Sequence, residues 1–191
     1  MKPTKKEQIE IAAKELFWKH GFKKVSINEI CKKANVSRKT FYTLYQNKNA
    51  LVLYIFKELI DEAYAVYEGI AESEVTFSEK MEKILVYKYQ ATKSISLEFI
   101  NDFYNIEAGE LLNLFNSTIS KSMLFIRDFF QKAQDKGELN PSLNLEYVIW
   151  LMQKSSEMCG TQEVISMFPN IDSMIHQVTQ TLIYGIMPVN K

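Results

Sequence analysis

The stretch Ser26-Ile27-Asn28-Glu29-Ile30-Cys31-Lys32-Lys33-Ala34-Asn35-Val36-Ser37-Arg38-Lys39-Thr40-Phe41-Tyr42-Thr43-Leu44-Tyr45 decides the fold. Ser26 and Glu29 stand three apart, the spacing of a capping box in which each side chain satisfies the other's backbone N–H. The helix it opens is short, turns Ile30 and Ala34 inward, and stops near Asn35, a residue type that tolerates the left-handed conformation of a tight turn. Ser37 caps the next helix, which runs through Phe41 to Tyr45. With only Asn35 and Val36 between the first helix and the next cap, the pattern predicts a helix-turn-helix, whose second helix enters the DNA major groove with its N-terminal residues at the base edges.

The flanking sequence supports a helical setting. Upstream, Ile9, Ala12, Ala13, Leu16 and Phe17 recur at i, i+3, i+4, i+7 and i+8, an amphipathic helix that Gly21 would end. Downstream, Asn47 caps a fourth helix with Leu51, Ile55, Leu59 and Ala63 toward a core. Thr76 and Glu79 form a second capping box before Met81, Ile84, Leu85 and Tyr89. A short helix over about 94–104 and a long one over about 107–136, closed by Gly137, follow. Pro141 makes 138–142 a turn, and two helices, roughly 144–159 and 170–187, complete the chain. With 6 Gly, 4 Pro and no sustained strand-like alternation, the expected fold is all-α with about nine helices. A three-helix DNA-binding domain over 1–47 precedes a larger helical bundle over 48–191.

Charge divides the chain in the same way. The formal net charge is zero, yet residues 1–50 hold 12 Lys/Arg against 4 Asp/Glu, and residues 51–191 hold 11 against 19. Such a split suits an N-terminal part that meets a polyanion and a C-terminal part that does not. At the start of the second short helix, Arg38 can reach guanine O6 and N7 bidentately, and Lys39 can do the same or neutralise a phosphate. Ser37 and Thr40 share that helix end. Tyr42, Thr43 and Lys48 offer donors to phosphate oxygens, as does the helix start at Ser26. Phe41 and Leu44 are expected to face inward. An ordinary surface helix can also be short, Ser-capped and basic; it is the combination of basic excess, tight turn and N-terminal position that points to DNA.

The segment from Ile9 to Leu51 resembles the DNA-binding domain of the TetR family of bacterial regulators. The residues that carry the resemblance are Ile11-Ala12-Ala13 with Leu16-Phe17, Gly21-Phe22, Val25-Ser26-Ile27 with Ile30, and Ala34-Asn35-Val36-Ser37. Thr40 through Tyr45, then Asn47-Lys48 and Leu51, complete it. Departures are Asn35 where the family usually has Gly, Tyr45 where Phe is usual, and Cys31 where a small residue is common. The resemblance implies a two-fold dimer on a palindromic operator, usually a repressor released by a small ligand. It also implies that Ser26, Ser37, Arg38, Lys39, Tyr42, Thr43 and Lys48 occupy positions that touch DNA, and that the C-terminal bundle binds ligand and dimerises.

Of the 24 aromatic residues, 18 lie after position 50, where they fill a core or line a pocket. The pocket candidates are Tyr87, Phe99, Phe103, Tyr104, Phe125 and Trp150. Glu98 and Asp102 stand at i, i+4 with Glu107 and Glu110 close behind. A solvated face accounts for them most simply; the sharper reading gives one carboxylate, Asp102 among them, to a cationic aromatic ligand. Val148, Ile149, Leu151 and Met152, then Ile175, Val178, Leu182 and Ile186, make the last two helices either a dimer face or intrachain core, with Gly185 permitting a close approach. Cys31 and Cys159 fall in apolar helical patterns without metal-ligand spacing and read as free thiols. No secretory h-region follows Met1, and the longest uncharged stretch, Ser173 to Asn190, is too polar to span a membrane, so a cytoplasmic protein is expected. His20 and His176 lack partners at ligand spacing, and no phosphate loop or catalytic constellation is recognisable; no metal, cofactor or enzymatic activity is expected. The competing readings are a helical adaptor whose basic end binds an acidic partner, and a DNA-binding regulator without a ligand.

Overall fold

The computed structural model describes residues 2–93, 95–107 and 109–186. Among these residues the elements are α1 (Lys5–His20), α2 (Ile27–Ala34), α3 (Arg38–Leu44), α4 (Lys48–Glu72), α5 (Phe77–Thr92), α6 (Leu97–Tyr104), α7 (Glu110–Asp135), α8 (Leu145–Met158), α9 (Gln162–Ser166) and α10 (Ile171–Ile186). The fold is all-α, with one helix more than expected. The addition, α9, is a five-residue turn capped by Thr161. Met187, the expected end of the last helix, lies outside the described residues. Two other boundaries move inward: α6 starts at Leu97 behind an Ser96 cap, and α7 starts at Glu110 after Gly109, which has a positive φ of 95°.

Reciprocal capping boxes open α1 (Thr4 with Glu7), α2 (Ser26 with Glu29) and α5 (Thr76 with Glu79). Each satisfies donors that an N-terminus leaves orphaned and contributes about 1 kcal/mol. Asn35 ends α2 in the left-handed conformation, at φ 52° and ψ 49°, and is the non-glycine residue with positive φ among the described residues. Asn47 Oδ1 accepts the Ala50 N–H at 2.9 Å, fixing the start of α4.

The chain forms two compact units, each assembled from two segments: residues 1–62 with 94–114, and residues 63–93 with 115–191. The first unit holds α1 to α3, the start of α4, and α6. Ile9, Ala12, Ala13, Phe17, Ile30, Ala34, Phe41 and Leu51 are its buried centre. Phe99 of α6 is buried against Trp18 and Phe22, with ring centroids 4.6 and 6.0 Å away, and stacks on Phe56 at 5.8 Å. In the second unit, Phe77, Met81, Phe129, Phe130, Ala133, Leu139, Leu145, Val148 and Ile183 form a core. No described helix is long and apolar enough to cross a membrane.

Candidate nucleic-acid interface

Helix α3 is built from its cap outward. Ser37 Oγ accepts the Thr40 N–H at 3.0 Å and lies 2.9 Å from Thr40 Oγ1, so both hydroxyls are committed to the first turn of α3. That turn holds no acidic residue. Arg38, Lys39, Tyr42 and Thr43 are exposed along α3, and the Arg38 guanidinium lies 5.9 Å from the Tyr42 ring centroid. Thr43 Oγ1 donates to the Lys39 carbonyl at 2.9 Å, which commits its O–H within α3. The exposed face of α3 thus presents to solvent a phenol and two cations that form no ion pair among the described residues, donors of the kind that can serve guanine edges and phosphates.

Behind this surface, Phe41 is fully buried and Tyr45 nearly so, while Leu44 is 40% exposed. The expectation that Leu44 faces inward is corrected here. Because α3 ends at Leu44 and Tyr45 is extended, at φ −134° and ψ 124°, the ring of Tyr45 takes the inward place beside Phe41, with centroids 5.9 Å apart. The Tyr45 hydroxyl donates to Glu10 Oε1 of α1, and Lys6 stands 3.7 Å from the same carboxylate. Burial, then the Glu10 bond, pushes the Tyr45 phenol well above its usual pKa. The recognition helix is thereby fastened to α1 by a polar bond as well as an apolar contact.

Ser26 and Lys48 have intramolecular work. Ser26 Oγ accepts the Glu29 N–H at 3.3 Å, and the Glu29 carboxylate accepts from the Ser26 backbone N–H at 2.8 Å. The Ser26 hydroxyl, which donates to the same carboxylate at 2.6 Å, and then the backbone N–H bond hold Glu29 below the usual carboxylate range. Lys48 Nζ donates to the carbonyls of Lys23 at 2.7 Å and Val25 at 2.9 Å, closing the loop between α1 and α2; burial lowers its pKa.

The same loop is gripped by α6. Asp102 Oδ2 accepts the Lys23 backbone N–H at 2.7 Å, Lys23 Nζ donates to the Asn105 carbonyl at 2.7 Å, and the Ser96 N–H donates to the Trp18 carbonyl at 2.9 Å. Gly21 makes this possible: its φ is +75°, and a Cβ there would lie 2.5 Å from Asp102 Oδ2. Sequence reasoning found Gly21 and Asp102 separately but not their pairing, which joins residues about 80 positions apart.

The candidate pocket residues fall in both units. Phe99, Asp102, Phe103 and Tyr104 are in the first, where Phe99 and Asp102 pack against or bond the α1–α2 region and Phe103 lies 6.4 Å from the Phe56 ring. Tyr87, Phe125 and Trp150 are in the second. Tyr87 meets Tyr67 edge-on at 5.4 Å, and Phe125 stacks on Phe129 at 6.1 Å. Phe125 also lines an open groove of about 800 Å³ with Glu68, Phe77, Lys80, Asp128 and Lys132. Trp150 is exposed and stacked on Tyr147 at 6.1 Å. Cys31 is buried and Cys159 half-buried, both free. Among the described residues no cluster of three His, Cys, Asp or Glu side chains could hold a metal ion.

Residues 11–55 match the sequence model described as bacterial regulatory proteins, tetR family. The chain is 26% identical over 136 residues to the HTH-type transcriptional regulator UidR of Escherichia coli K12, covering 70% of this chain and 68% of that one. It is 22% identical over 187 residues to the HTH-type transcriptional regulator YdgC of Bacillus subtilis, covering 97% and 93%. Among solved structures, the fatty acid degradation regulator FadR of Bacillus halodurans aligns with a TM-score of 0.72 at 17% identity, covering 97% of both chains. The FadR of Bacillus subtilis, solved with stearoyl-CoA, aligns with a TM-score of 0.68 at 19% identity over 94% and 98%. At these identities the structural likeness is one of fold.

Proposed function

We propose that this chain, which belongs to the tetR family of bacterial regulatory proteins and is a DNA-binding transcriptional regulator, acts as a dimeric repressor on a palindromic operator and is released by a small ligand. The observation that carries the DNA reading is the first turn of α3: Ser37-capped, free of acidic residues, with Arg38 and Lys39 exposed at the basic end of the chain. Arg38 and Lys39 are the base readers in this account. Tyr42 binds phosphate, and Thr43 does so when its hydroxyl turns away from the Lys39 carbonyl, with the N-termini of α2 and α3 at Ser26 and Ser37 supplying backbone donors.

Dimerisation through α8 and α10 is supported by what those helices expose. Tyr147, Trp150, Met158 and Tyr184 are each more than half exposed in the single chain, more large apolar surface than two monomer helices need to show. Two copies would bring two α3 helices to half-sites about one helical turn apart, or a multiple of it.

Release follows from two states that the ligand binds unequally. The ligand lies in the C-terminal bundle and tilts α4, whose start at Lys48 closes the loop that Asp102 and Asn105 of α6 also hold. A regulator of this kind works beside DNA in the cytoplasm. A mobility-shift titration on the native upstream region tests the reading. Saturable, salt-sensitive retardation that Arg38→Ala abolishes supports it; equal binding to every duplex favours an adaptor with a basic end.

A further inference from the structure

We infer that Lys88 is the anchor of an effector site in the second unit, and that the effector is an amphipathic anion carrying a carboxylate or phosphate on an apolar body. The inference rests on the ligand-responsive reading above and adds the chemical class of the ligand. Its starting point is placement. Phe77, Met81, Ile84, Leu85 and Lys88 recur along α5 at i, i+4, i+7, i+8 and i+11, one continuous helical stripe. Phe77 and Met81 belong to the core of the unit and Ile84 and Leu85 pack against it. Lys88 continues that stripe, half-buried, one turn beyond Ile84 and one before the half-buried Thr92. A cation therefore stands where the pattern calls for an aliphatic residue.

Its surroundings do not neutralise it. Among the described residues the ion pairs involve other side chains, and no carboxylate acts on Lys88. Its electrostatic neighbour is the thiol of Cys159 at the end of α8, a weak partner in its neutral form. Lys80, about two turns earlier on the same helix, shows the contrast: it is buried, and its ammonium donates to the Ala71 carbonyl at 2.7 Å. Burial lowers the Lys88 pKa, the sign of an ammonium end that has lost water without gaining a counter-charge. Holding an uncompensated cation inside costs stability, and an incoming anion removes that cost. Beside Lys88, Tyr87 meets Tyr67 edge-on, and burial raises the Tyr67 phenol to about 12, so aromatic faces and phenol donors adjoin the apolar stripe. Asp102, the carboxylate considered for a cationic ligand, belongs to the other unit and is bonded to the Lys23 N–H.

The test is calorimetric titration and thermal melting of the full-length protein with four probes below their micelle concentrations: dodecanoate, dodecyl phosphate, dodecanol and dodecyltrimethylammonium. At least one of the two anions should bind ten times more tightly than the neutral and cationic probes, and which anion does so separates a carboxylate from a phosphate effector. Lys88→Met should lose that tenfold preference, keep binding to dodecanol, and melt at the same or a higher temperature without ligand, whereas Lys88→Arg should keep the preference. Equal affinity across head groups, a preference that survives Lys88→Met, or no binding by either anion overturns the inference. Operator binding measured on the same samples keeps the two readings apart. An intact operator complex with no anion preference refutes the role of Lys88 alone, while absence of sequence-specific DNA binding refutes the regulator.

Discussion

The Asp102 carboxylate accepts the Lys23 backbone N–H at 2.7 Å, a bond between α6 and the loop that precedes the helix-turn-helix. It makes α6, remote in sequence, part of the body that positions the recognition helix. Asp102→Ala leaves the Lys23 donor unpaired and should cost about 1–3 kcal/mol. Gly21→Ala places a Cβ against that carboxylate in a left-handed backbone and should cost more than about 1 kcal/mol. In the double variant the clash partner is gone, so the two losses should sum to less than their separate values. Urea denaturation of the three variants checks this, and strict additivity would show that the two sites do not touch.

Lys48 separates a structural from a DNA-contacting role. With its ammonium held by the Lys23 and Val25 carbonyls, Lys48→Met should lower stability by about 1–3 kcal/mol. The slope of log affinity against log salt should stay within error of the wild type. Lys39→Ala, by contrast, should leave the melting temperature unchanged and, because Lys39 reads a base, relax the preference at one position of each half-site. A reduced slope in Lys48→Met would assign Lys48 to the phosphate backbone.

Acid should loosen three helix starts together. Glu7 accepts chiefly from the Thr4 backbone N–H, Glu29 and Glu79 chiefly from the Ser26 and Thr76 hydroxyls and then from the backbone N–H of those residues, and these bonds hold the three carboxyls below the ordinary glutamate value. A lowered folded-state pKa means stability present above the unfolded value, near 4.3, and lost as pH falls through the folded value. Replacing all three by Gln keeps the N3 acceptor of the capping box but removes the titration. Thermal melts from pH 6 to pH 3 should therefore fall less steeply for the triple Gln variant than for the wild type; parallel curves would place the acid sensitivity elsewhere.

How much of this was legible in the sequence follows from the range of the interactions. Ser26, Ser37 and Asn35 could be read because a cap and a left-handed turn are settled within four residues. The Thr4–Glu7 box obeys the same local rule and was equally readable, whereas α9, five residues long, is too short to show a period. Leu44 faces outward, against expectation, because α3 ends between it and the buried Tyr45, and helical spacing fails where the helix does. The grip of α6 on the Gly21–Lys23 loop, and the use of Lys48 to close it, were out of reach, since each joins segments distant in sequence.

The apolar surface on α8 and α10 predicts association. Trp150→Glu puts a charge into the stacked Tyr147–Trp150 pair, which is exposed in one chain, and so should leave the monomer folded while weakening the dimer at least tenfold. Sedimentation velocity across a concentration series with circular dichroism in parallel reads both quantities. An unchanged dimer would move the interface off α8.

The central claim is that α3 reads a palindrome through Arg38. Full-length protein should be used to select duplexes from a random pool, and the enriched sequence titrated by fluorescence anisotropy with wild type and Arg38→Ala. The account predicts an inverted repeat with half-sites one helical turn or a multiple apart, and a loss of about 1–3 kcal/mol in Arg38→Ala with relaxed preference at one position of each half-site. No enriched sequence, or an identical one bound equally well by Arg38→Ala, would contradict it.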